Sequence, residues 1–304
     1  MDFNLDPADL AKKITSHAKA LIIQHTFGIP AKMDELLFVA RTHRLSVIED
    51  CAHTLGNTYK GKKLGTFGEL AILSFGSDKA LSCARGGAVV TGSQELANKL
   101  RAYQHALPDL PRWRVFQHLA HYPVMALGKR WYHVGIGKWL LWTARRAGII
   151  NRIIYRPEKR GEWLAWFPAK LPQALATILL PQLNNLDAHN LHRKKIANIY
   201  RTALKKFSPE SNAYAGEYAP LRYLLLVDNP AVLERQMQRH VIYPGDWYRT
   251  VVAPADISAQ AAEYEPGSCP QAEAMARRSI NLPTDRNITE SVAKYIVDIM
   301  IRYV

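Results

Sequence analysis

The chain has 304 residues, 48% of them hydrophobic and 22% charged, with a formal net charge of +14. That is the composition of a soluble globular protein of one large or two ordinary domains, and it argues against disorder and low-complexity architecture. Three scattered cysteines (Cys51, Cys83, Cys269) speak against a disulfide framework or a CxxC zinc site, and an acidic start (Asp6, Asp9) without an apolar run of membrane-spanning length points to the cytoplasm.

From residue 1 to about 105, short apolar runs alternate with helical patterns, as when strands cross over through helices. Buried strands are predicted at 20–24, 46–48, 70–75 and 87–91, with amphipathic helices at 33–42 and 94–103. This reads as α/β with a mostly parallel sheet. Residues 106–165 break the rhythm with prolines, glycines and arginines, and six of the seven tryptophans fall between Trp113 and Trp166. A long helical pattern at 173–206 leads into a smaller α+β region, with strands at 221–227 and 280–282 and helices at 229–240 and 289–303. The predicted division is a partial cofactor-binding domain (1–105), a helical basic insertion (106–165), and a connecting helix with a C-terminal small domain (166–304).

Two segments of the first region carry the chemistry. Val47-Ile48-Glu49-Asp50-Cys51-Ala52-His53 ends one predicted strand on an acid, and Ser74-Phe75-Gly76-Ser77-Asp78-Lys79 follows another with a lysine. An acid and an amine at the carboxyl ends of neighbouring strands are what a pyridoxal phosphate enzyme needs, because ligands of open α/β sheets gather there. A carboxylate keeps the pyridine nitrogen protonated, and a lysine forms a Schiff base with the aldehyde. His53 is placed to act near the phenolic oxygen, and Ser74 to offer the phosphate a hydroxyl. Singly, each residue reads as a turn, a cap or a solvated group, and only their joint spacing raises the alternative.

The run Gln24 to Asp34, the motif Glu49-Asp50-Cys51-Ala52-His53, then Gly65-Thr66-Phe67-Gly68 and Ser74-Phe75 with Lys79 resemble the DegT/DnrJ/StrS-type sugar aminotransferases of pyridoxal phosphate fold type I. Weaker similarity resumes at Leu180-Pro181-Gln182-Leu183, at 269–273 and at Asn281-Leu282-Pro283-Thr284. The resemblance implies Lys79 as the Schiff-base lysine, Asp50 as the pyridine partner, His53 near the phenolic oxygen and Ser74 on the phosphate. A lysine where dehydrating relatives carry histidine implies transamination, typically from glutamate to a nucleotide-linked keto sugar, by a homodimer. The family pattern begins upstream of the segment matched by Met1, so the resemblance also implies that this chain lacks the N-terminal portion supplying a glycine-containing phosphate turn. A partner asparagine usual in the family has no counterpart in Phe167-Pro168-Ala169-Lys170-Leu171. Two readings result: an amino-sugar or polysaccharide-pathway aminotransferase, or a shortened, inactive remnant acting as a membrane-surface or partner-binding module.

Between Arg112 and Arg160 eleven Lys or Arg face one acid, Glu158. Helical spacing groups Ile136, Trp139, Leu140, Ala147 and Ile150 on one face, with Lys138 and Arg145 on another. Such a helix suits peripheral membrane contact, packing within the protein, or attraction of anionic substrate. Nucleic acid is disfavoured, since no recognised binding motif accompanies the charge.

Overall fold

A computed structural model describes residues 3–152, 154–207, 218–257 and 259–303. It is a mixed α/β structure with a mostly parallel central sheet, and its contacts divide the chain into two compact units. One comprises Met1–Ala71 together with Asp187–Val304, the other Ile72–Leu186. The changes of sequence character near residues 106 and 166 both fall inside the second unit.

In the first unit, α1 (Pro7–Lys13) is capped by Asp6, whose carboxylate accepts from the amides of Ala8 and Asp9. Strands β1 (Ala20–Gln24) and β2 (Ser46–Asp50) pair in parallel, Ile23 level with Glu49 and Gln24 with Asp50. The connecting α2 (Met33–Thr42) buries Met33, Leu36 and Ala40. Both strands were predicted as buried, yet they bury one face only: Leu21, Ile23 and Val47 point inward, while Ile22 is 60% exposed. A two-residue hairpin, β3 (Thr58–Tyr59) and β4 (Lys62–Lys63), follows.

Strand β5 (Leu70–Ser74) crosses from the first unit to the second, and the sheet order is β1-β2-β5-β6, with β6 at Gly87–Val90. Then come α3 (Gln94–Ala106), α4 (Arg112–Arg130), α5 (Ile136–Arg146) and α6 (Gln173–Asn184). Helix α7 (Leu186–Leu204) returns the chain to the first unit, so the predicted 173–206 pattern is two helices broken at Asn185. Antiparallel β7 (Arg222–Leu226) and β8 (Ser279–Pro283) complete the fold with α8 (Pro230–Arg239), α9 (Pro270–Arg278) and α10 (Glu290–Tyr303). The apolar faces of α7, α8, α10, β7 and β8 form the main core with Phe27 and Ile29, including Ile196, Tyr200, Leu225, Met237, Ile280 and Ile296. Among the described residues no helix is long and apolar enough to cross a membrane.

Candidate active site

The first unit presents the end of β2. Alternation along the strand sends Glu49 inward, fully buried, and leaves Asp50 half-buried at the strand's carboxyl end. The Asp50 backbone carbonyl accepts from the His25 amide at 3.3 Å, which fixes the strand end against the chain leaving β1. One carboxylate oxygen of Asp50 accepts from the Ala52 amide at 3.0 Å; the other has no hydrogen-bond partner among the described residues.

Glu49 is saturated. It accepts from the amides of Gly65 (2.8 Å), Phe67 (2.6 Å) and Gly68 (2.9 Å), and its Oε2 lies 3.4 Å from His25 Nε2. His25 Nδ1 accepts from the Ala31 amide at 3.1 Å, which leaves the neutral ring's proton on Nε2, facing Glu49. Burial works against the Glu49 charge, but the bonds from His25 and the three amides outweigh it and hold the carboxyl below its ordinary 4.5. Ligand atoms of His25, Glu49 and Cys51 lie within 4.8 Å of one another. With both ring nitrogens and both carboxylate oxygens already engaged, and burial pushing the Cys51 thiol up to about 12, this cluster is a structural clamp.

His53 is buried. Its Nδ1 accepts from the Phe27 amide at 3.2 Å and its ring stacks on Trp247, centroids 5.0 Å apart and planes at 12°. Trp247 stacks in turn on Tyr248 (6.0 Å, 18°), and the Arg222 guanidinium lies 5.2 Å from the Trp247 ring. Of this aromatic stack, only His53 was given a role from the sequence. A Trp-Tyr pair just after Pro244-Gly245-Asp246 was the available signal.

The second unit presents the turn after β5. The Phe75 amide donates to the Gly86 carbonyl (2.8 Å), the Cys83 amide to Phe75 (3.0 Å) and the Lys79 amide to Gly76 (3.1 Å), so Lys79 sits on a closed, internally bonded loop. A Cβ on Gly87 would lie 2.8 Å from the Leu73 carbonyl oxygen, so only glycine permits this approach of β6 to β5. The Ser74 hydroxyl lies 3.5 Å from the Gly76 amide, at the limit of a hydrogen bond. The Lys79 ammonium is 3.7 Å from the Asp78 carboxylate, both side chains mostly buried. The structure thus brings Asp50 and His53 to one strand end of the first unit, and Ser74 and Lys79 to one turn of the second. In chemical terms the residues offer a carboxylate with an open acceptor position, an aromatic wall, an amine and a hydroxyl.

The model of the DegT/DnrJ/EryC1/StrS aminotransferase family matches residues 1–128 and 154–301. Among curated relatives, the GDP-perosamine synthase of Caulobacter vibrioides is 44% identical over 99 residues, 33% of this chain and 27% of that protein. The chain therefore matches about a quarter of the length of such relatives. Among solved structures, a DegT DnrJ EryC1 StrS aminotransferase from Brucella abortus superposes with a TM-score of 0.70 at 23% identity, over 99% of this chain and 70% of that one. DesV of S. venezuelae, solved in complex with a ketimine intermediate, gives a TM-score of 0.69 at 26% identity, over 99% and 69% of the two chains.

Proposed function

The chain belongs to the DegT/DnrJ/EryC1/StrS aminotransferase family, and on that premise we propose that it transfers an amino group to a keto sugar, with pyridoxal phosphate as cofactor and glutamate as the donor. The observation that carries this reading is Lys79 on the closed turn after β5, with Asp50 at the carboxyl end of β2. Relatives named for perosamine synthesis and, in Helicobacter pylori, for pseudoaminic acid biosynthesis support a nucleotide-linked sugar of amino-sugar or polysaccharide biosynthesis as the acceptor. We place the reaction in the cytoplasm, carried out by a homodimer.

The residue types suit the cofactor: the open Asp50 oxygen would serve its ring nitrogen, the Lys79 amine its aldehyde carbon and the Ser74 hydroxyl its phosphate. Bound pyridoxal phosphate supplies an electron sink for the carbon that carries the amino group. Asp50 would hold the proton on the ring nitrogen, because an adjacent carboxylate favours the cationic form. Lys79, parted from Asp78 and deprotonated, would move the proton at the amino-bearing carbon. His53, held by the Phe27 amide and Trp247, is the expected neighbour of the phenolic oxygen.

The test is to mix purified protein with pyridoxal phosphate. A protein-bound absorbance band is expected that Lys79→Ala abolishes and Asp50→Asn weakens. No band, or one indifferent to Lys79→Ala, overturns the proposal.

A further inference from the structure

Helix α5 turns Gly137, Leu141 and Ala144 toward α4 and buries them. The approach is close enough that a Cβ on Gly137 would lie 1.9 Å from the Gly128 carbonyl oxygen. At 100° per residue the opposite side of α5 carries Trp139, Trp142 and Arg146, flanked by Lys138 and Arg145. This differs from the face predicted from spacing: Trp139 is 66% and Trp142 57% exposed, and the Arg146 guanidinium lies 5.5 Å from the Trp142 ring. Indoles and cations therefore share one outward surface.

Three observations identify its partner. Eleven basic residues against one acid between Arg112 and Arg160 demand an anionic one, and would oppose a second copy of this chain with like charge. Outward indoles beside guanidinium groups suit a boundary that is apolar below and wet above. The family model passes over 129–153, which contains α5, so the sequence pattern the family shares does not account for this surface.

We propose that the outward face of α5 docks on an anionic lipid bilayer, Trp139 and Trp142 entering the headgroup layer while Lys138, Arg145 and Arg146 meet lipid phosphates. The proposal is independent of the catalytic reading.

The full chain is titrated with phosphatidylcholine vesicles containing about one third phosphatidylglycerol, and with vesicles of phosphatidylcholine alone. Binding to the anionic vesicles is expected, with tryptophan emission shifted to the blue. It should weaken about tenfold or more on neutral vesicles, in Trp139→Ala/Trp142→Ala and in Lys138→Glu/Arg146→Glu. Circular dichroism checks that both variants, at exposed positions, remain folded. The proposal is overturned by absence of binding, by binding that both variants retain, by preference for a single-stranded RNA over the vesicles, or by a vesicle-free dimer that the tryptophan variant dissociates.

Discussion

Glu49 shows how much of this candidate site rests on a residue whose two carboxylate oxygens are both bound by the protein itself. Its side chain ties the loop Gly65–Gly68 and His25 to β2, and Asp50 is its chain neighbour, so the clamp positions the proposed cofactor partner. Glu49→Gln keeps the volume and one acceptor oxygen but loses the charge that three amides share, a loss of roughly 2 kcal/mol, measurable in urea at pH 7. Because the folded carboxyl sits below its ordinary 4.5, its contribution is complete above that value and is lost as pH falls through the lower, folded one. The variant should therefore lose less stability than the wild type between pH 5 and acid; parallel acid limbs would refute the clamp. The places of Asp50 at the end of β2 and of Lys79 just past β5 were legible in the sequence because each follows a short apolar run. The stack of His53 on Trp247 was not, because it joins residues far apart in the chain, and no local pattern encodes such a contact.

Among elements, strands β1, β2, β5 and β6 could be placed as apolar runs, and α2, α8 and α10 as amphipathic periods, but the burial predicted for the strands does not extend to β5, which buries only Ala71, or to β6, which buries no residue. Helix α1 passed unseen because only Pro7 is buried in it, and the β3–β4 hairpin because two residues make no pattern. The α5 face was misjudged for a related reason: the helix approaches α4 through Gly128 and Gly137, and glycine carries no hydrophobic signal. Gly137→Ala should consequently cost roughly 2–3 kcal/mol and loosen α4 from α5, seen as faster amide exchange in both helices. Wild-type exchange would show that the contact contributes nothing. His118 on α4 adds a pH dependence to the same unit. Burial, with the neighbouring charges of Arg85 and Arg114, lowers its pKa to about 4, and its Nδ1 has no partner among the described residues. Its contribution is complete above 6.5, where both states are neutral, and is lost as pH falls toward 4, by up to about 3 kcal/mol. Replacing it with Leu should flatten stability over that interval; an unchanged slope would place the acid sensitivity elsewhere.

At the scale of the molecule, the first unit is made from both ends of the chain and the second from one continuous stretch. Composition could mark the second stretch, since basic residues and tryptophans concentrate there, but not that residues 1–71 share a core with residues 187–304. That union depends on long-range packing: Phe27 and Ile29 from the early chain meet Tyr200 of α7, Leu225 of β7 and Ile296 of α10. Ile296 is fully buried in this cluster, so Ile296→Ala removes side-chain contacts and leaves a cavity, at a cost of about 2–5 kcal/mol. If the contact division is also an energetic one, that loss belongs to the first unit alone, because multidomain chains need not unfold in one step. Hydrogen exchange by mass spectrometry separates the outcomes. Peptides from 21–50 should lose protection together with those from 222–303, although they are distant in sequence, while peptides from 112–150 keep theirs. Equal loss along the whole chain would instead mean that the two units unfold as one.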